Sequence, residues 1–170
     1  ADFDVDRQPL TDAARAGAAT YDPLTDRPAA GECAEAGMPR IVGNPYPREF
    51  VDRGNTILMR LEEYDAVRTI RLGGIRPALT GAAAPLGYSV GRWEGGTLVV
   101  ETTNVGERDF PLGIPLSENL EILEHFTPSE DGSRLDYRMR VTDPTAFVEP
   151  VELELYWIYA SDATLQPYEC

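Results

Sequence analysis

Lysine is absent from this 170-residue chain, histidine occurs once, at position 125, and cysteine twice, at 33 and 170. Without lysine there is no Schiff-base chemistry and no ammonium general base. A single histidine excludes a histidine-based metal centre or a paired imidazole relay within one chain. No apolar run approaches the roughly 20 residues that a membrane-spanning helix needs. Asn-x-Ser/Thr is also missing, which excludes N-linked sugar at that motif. Positive charge is scarce: 15 basic groups, all arginine, face 29 acidic ones, for a net charge of -14. Such a surface repels phosphate backbones and anionic lipid, so neither nucleic acid nor membrane insertion is expected.

With no C-x-x-C spacing, Cys33 and Cys170 suit a disulfide that ties the chain end to the N-terminal region, within one molecule or between two. The chain starts at Ala1, as it would after removal of a signal peptide. Together these features predict an oxidising, secreted or periplasmic setting.

What is present divides into two parts. Residues 1–54 are rich in Ala, Pro, Asp and Gly and read as an extended N-terminal arm, with a short helical turn from Thr11 to Gly17. An arm so poor in large apolar groups needs a surface to order it, its own sheet or another copy's. Residues 55–170 read as an antiparallel β domain. Strands are predicted at Thr56–Glu63, Val67–Leu72, on both sides of the Glu94-Gly95-Gly96 turn, at Leu120–Phe126 and Leu135–Val141 around Ser129-Glu130-Asp131-Gly132, and at Val151–Trp157. The fold class is all-β: a meander of about seven strands forming a barrel or sandwich, with calycin-like closure among the options.

Catalytic motifs are weak. Gly87-Tyr88-Ser89-Val90-Gly91 has the spacing of a nucleophile elbow, with Asp109 and His125 following in hydrolase order. Such a serine sits on a strand-to-helix turn, whereas Gly91 leads straight into Arg92 and Trp93. Asp2, Asp4 and Asp6 open like a calcium loop, yet Arg7 and Ala13 stand where that loop requires Gly and Glu. No metal and no cofactor are expected. Glu124 shares the apolar face of its strand with Leu120, Ile122 and Phe126, which marks it as a buried carboxylate with potential acid–base use. Arg138 and Arg140 match Glu152 and Glu154 as a cross-strand charge ladder. Trp93 and Trp157 are expected as core anchors.

Met38-Pro39-Arg40-Ile41, Gly43-Asn44-Pro45-Tyr46-Pro47, Gly87–Gly95 with Thr97–Val100, and Asp143-Pro144 with Pro150 resemble an uncharacterised family of secreted bacterial proteins. That family carries a G-[HY]-S-x-G-R-W-E-G-[DG]-T-L-V-V core. The resemblance covers most of residues 33–170 and implies export and a β-rich fold, without an activity. Tyr88 stands where His is common in it and Gly96 where Asp is common.

The leading expectation is an exported, non-catalytic β domain that interacts with proteins, self-assembling as a homo-oligomer or polymer through its arm. One alternative is a lipocalin-like barrel holding a small apolar ligand among Met59, Tyr88, Trp93, Glu124 and Trp157. Another is a cofactor-free isomerase or lyase that uses Glu124 with Tyr88 or Tyr137.

Overall fold

The computed structural model describes residues 7–22, 36–73, 82–106, 109–110 and 113–169. Both cysteines and the Asp2, Asp4 and Asp6 group lie outside these residues, as does the side chain of Asp109. The chain is all-β, as its alternating segments predict. In chain order it runs through helix α1 (Asp12–Ala19) and strands β1 (Arg48–Asp52), β2 (Thr56–Leu61), β3 (Val67–Leu72), β4 (Tyr88–Glu94), β5 (Thr97–Thr103), β6 (Asp109–Phe110), β7 (Ile114–Pro115), β8 (Glu121–Pro128), β9 (Arg134–Thr142) and β10 (Val151–Ile158). Eight of these form one sheet in the order β1-β2-β3-β4-β5-β8-β9-β10, and β6 pairs with β7 as a separate ribbon.

Each predicted hairpin closes where its turn chemistry allows. Gly95, at φ 59°, supplies the positive φ between β4 and β5. In the turn between β8 and β9, the Asp131 carboxylate accepts from the Ser129 hydroxyl and from the backbone and hydroxyl of Ser133. These bonds, that of Ser129 foremost, hold its pKa down to about 2.

One connection departs from the meander. β3 and β4 pair in parallel, with Ile70 opposite Ser89 and Leu72 opposite Gly91. Parallel neighbours need a crossover rather than a tight turn, and residues 73–87 provide its length. Gly91 makes the packing at this seam close, because a Cβ there would stand 2.7 Å from Ile70 Cγ2. Gly87 has φ +67° and room for no Cβ beside the Thr103 carbonyl. The glycines of the Gly-x-Ser-x-Gly spacing therefore serve strand packing.

Side chains from strands that are not neighbours meet on the inner face, which means that the sheet is curled. Phe50 on β1 lies edge-on to Phe126 on β8, with ring centroids 5.6 Å apart. The Arg48 guanidinium, also from β1, sits 4.4 Å over the ring of Trp157 on β10. The sheet is thus an incompletely closed barrel. Its core gathers Met59, Ile70, Val100, Phe126, Met139 and Val141.

The expected arm is shorter than residues 1–54 and lies on its own domain wherever it is described. β1 belongs to the sheet, with Phe50 opposite Met59. Thr11 caps α1 by accepting from the Ala14 amide, Leu10 bridges Phe147, and the Thr11 amide bonds to the Ala146 carbonyl. Farther along, Met38, Ile41 and Val42 are fully buried. Composition averaged over fifty residues hides these few apolar anchors, which seat the described part of the arm on its own domain.

Two measurements check this architecture. Gly91→Val should destabilise the chain by about 1–3 kcal/mol through overpacking at the β3–β4 seam, read by urea unfolding. Because the Asp131 pKa is depressed in the folded state, its contribution holds above the ordinary carboxylate pKa near 4 and fades as pH falls toward about 2. An NMR titration should place the Asp131 midpoint near 2, and a value close to 4 would contradict the turn.

Candidate functional site

The inner face carries one cluster of polar chemistry, drawn from five consecutive strands of the sheet. Arg68 on β3, Ser89 on β4, Thr102 on β5, Glu124 on β8 and Tyr137 on β9 are all buried. Alternation dictates this in each strand: Arg68 shares a face with Ile70, Glu124 with Ile122 and Phe126, and Tyr137 with Met139 and Val141. The Arg68 Nη1 donates to Glu124 Oε1 at 2.8 Å, and its Nη2 donates to Glu124 Oε2. Nε of the same guanidinium reaches Ser89 Oγ at 2.9 Å, and Nη2 also reaches Thr102 Oγ1 at 2.6 Å. The Tyr137 hydroxyl donates to Glu124 Oε1 at 2.8 Å. Ser89 and Thr102 hydroxyls bond to each other at 2.9 Å.

This is a closed circuit. Burial alone would lower the Arg68 pKa, but the adjacent Glu124 carboxylate outweighs it and the net direction is upward. Burial, reinforced by the Glu124 charge, pushes the Tyr137 phenol well above its usual value, so Tyr137 stays protonated as a donor. Both oxygens of Glu124 are engaged, and Arg68 spends its fork on Glu124, Ser89 and Thr102. A general base needs a lone pair left over for substrate; here the donors of the cluster occupy the carboxylate.

The expected site residues separate accordingly. Met59 and Glu124 are buried on the inner face, and Trp157 is half-buried there against Tyr137, at 4.9 Å between ring centroids. Tyr88 points to the outer face, where the Arg71 guanidinium lies 4.3 Å over its ring. Trp93 is 54% exposed and anchors no core. Alternation along β4 does direct Trp93 inward, but β3 ends opposite Gly91, two residues earlier, so no strand covers Trp93 on that side. The structure therefore does not bring Met59, Tyr88, Trp93, Glu124 and Trp157 together as one pocket.

Ser89 is buried between Arg68 and Thr102, while His125 sits on the opposite face of β8, so they form no triad. The charge ladder is present: Arg138 pairs with Glu154 at 2.7 Å and Arg140 with Glu152 at 2.6 Å, all four well exposed. Arg68 is the central residue that motif reading missed. Its signal was a lone cation sharing an apolar face with Ile70 and Leu72, matched by a lone anion, Glu124, on another strand. Among the described residues no group of three or more metal-ligating side chains is found. No described helix is long and apolar enough to cross a membrane.

A second buried cation ties the arm to the barrel. Arg48 donates to the carbonyls of Val42, Asn44 and Tyr46 while resting on Trp157. Its burial lowers the pKa to about 10, which leaves it charged at neutral pH.

Comparison with known proteins finds no family model that matches the chain, and no curated protein or solved structure similar to it.

Breaking the central pair on one side strands a buried charge. Glu124→Ala should cost about 3–5 kcal/mol, whereas the double replacement Arg68→Met with Glu124→Leu should cost clearly less. Chemical denaturation of both variants checks this. Equal losses would mean that the pair stabilises the chain by its mutual attraction alone.

Proposed function

We propose that the chain is an exported, non-catalytic association domain whose copies join by adding an extended segment between its two open sheet borders. The observation that carries this reading is the incomplete closure of the barrel. Among the described residues β1 pairs only with β2, and β10 only with β9. Following the strand senses through six antiparallel pairings and one parallel pairing, β1 and β10 run in the same direction. One inserted strand is then antiparallel to both, the pairing that gives well-aligned ladder hydrogen bonds.

The side chains on these borders fit the same use. Phe50, Leu153, Leu155 and Trp157 face inward yet are only half-buried, unlike Met59, Val100 and Phe126 in the middle of the sheet. Beside them Tyr156, Ile158 and Tyr159 are 62%, 64% and 72% exposed. Unpaired strand borders are templates for another chain, and proteins that remain monomeric blunt them. The five-residue β1 is blunted by Glu49 and Asp52. The eight-residue β10 carries its two glutamates at one end, each paired with an arginine of β9, and leaves the other end apolar. The described part of the arm lies on its own domain and is not the contact this reading uses. Two cysteines far apart and without C-x-x-C spacing support an oxidising compartment outside the cytoplasm.

Sedimentation velocity across a wide concentration range, with negative-stain microscopy, tests the proposal. The chain should form concentration-dependent oligomers. Tyr156→Lys combined with Ile158→Lys, both on exposed positions, should weaken association by at least about tenfold without loss of folding. A chain that remains monomeric throughout would overturn the reading.

A further inference from the structure

We propose that the outer face of β3, β4 and β5 holds a binding site for small organic carboxylates, independent of the sheet borders. A groove of about 260 Å³ opens there, lined by Tyr88, Val90, Arg92, Glu101 and Thr103, with Gly73 at one end. Strand register builds it. Val90 is the floor, with Arg71 of β3 opposite it on one side and Glu101 of β5 on the other. Tyr88 and Arg92, two residues before and after Val90, rise from the same face.

Two arginines of this face, Arg92 in the groove lining and Arg71 beside it on the Tyr88 ring, differ in what they have to offer. Arg92 is spent: it bonds Glu94 at 2.7 Å and Glu101 at 2.6 Å. Its single charge is shared by two carboxylates, so one net negative charge remains there for Arg71 to offset. Arg71 is not spent. Its guanidinium lies on the Tyr88 ring, and among the described residues it has no ion-pair or hydrogen-bond partner. Stacking on Tyr88 orients the planar fork while leaving its N–H groups for a ligand, and the fork matches the two oxygens of a carboxylate. The net charge of -14 opposes an anion at long range, but that field is screened beyond about 8 Å at physiological ionic strength. What remains is local: one unused cation, an apolar floor at Val90, an aromatic wall at Tyr88 and a hydroxyl at Thr103. These features select a small carboxylate with a flat apolar body over a neutral molecule of the same shape.

The test uses the intact chain with benzoate, acetate and succinate as probes, and benzyl alcohol as the neutral counterpart of benzoate. Amide NMR shifts should saturate with benzoate and centre on Val90, Arg92 and Thr103, with no saturable change for benzyl alcohol. Arg71→Gln should lower the affinity by about tenfold or more, and Arg53→Gln, a substitution away from this groove, should not. Benzoate should also protect Arg71 of the unaltered chain from phenylglyoxal, read by peptide mass spectrometry, which makes the result independent of how any variant folds. The proposal is overturned if none of the three carboxylates gives saturable shifts at this groove, if Arg71→Gln binds as tightly as the parent, or if Arg71 is modified equally with and without benzoate.

Discussion

The bond between Arg68 and Glu124 fixes the shape of this molecule. Their strands, β3 and β8, are separated in the sheet by β4 and β5. In a flat sheet three strand spacings amount to about 14 Å, too far for one guanidinium to grip a carboxylate with both of its ends. The 2.8 Å contact exists because the sheet curls. Conversely, the curl is enforced by the penalty of leaving either charge alone in the interior. The same pair sets register. A one-residue slip of β8 would turn Glu124 to solvent and abandon Arg68 among apolar neighbours, and Ser89, Thr102 and Tyr137 would lose their partners with it.

Once the interior is committed in this way, the arm acquires its role. Met38, Ile41 and Val42 are buried in the core, and Arg48 clamps the following carbonyls while it covers Trp157. The C-terminal tail adds a strap. The Gln166 and Tyr168 amides bond to the carboxylates of Glu62 and Asp65, and the Tyr168 ring packs against Tyr46 and Tyr64. Tyr64 and Asp65 both hold positive φ, at 59° and 49°. Non-glycine residues adopt that conformation at some cost, and here it places one ring and one carboxylate where the tail can use them.

Local features of this fold were readable from the residues alone, and nonlocal ones were not. The Glu94-Gly95-Gly96 and Ser129–Gly132 turns, the Thr11 cap and the Arg138/Arg140 ladder each depend on a few adjacent positions or on one strand pairing, so alternation and turn chemistry suffice. Glu124 was legible as a buried carboxylate for the same reason. Its partner was not, because the link from Arg68 to Glu124 spans 56 positions and depends on the curl. The parallel β3–β4 pair was hidden by a crossover whose composition resembles an ordinary loop. β1 was hidden by the prolines that precede it, and Trp93 misled because side-chain type says nothing of distance from a strand end.

The division of labour between the faces follows from the same constraint. The Arg68–Glu124 cluster spends its donors and acceptors on one another, and Met59, Phe126, Tyr137 and Trp157 pack around it. Recognition then has to use what the curl does not consume: the two borders that it fails to join, and the outer face, where the side chains of β4 alternate away from the core. On that face most arginines are tied to acids on the same or the next strand, a pattern that costs little and adds solubility more than stability. Arg71 breaks the pattern, since its register neighbour is Val90 and its contact is the ring of Tyr88. A cation held by an aromatic ring rather than by a carboxylate keeps its hydrogen-bonding fork unspent, and so the outer face retains beside its groove a donor of the kind that the Arg68 cluster has consumed.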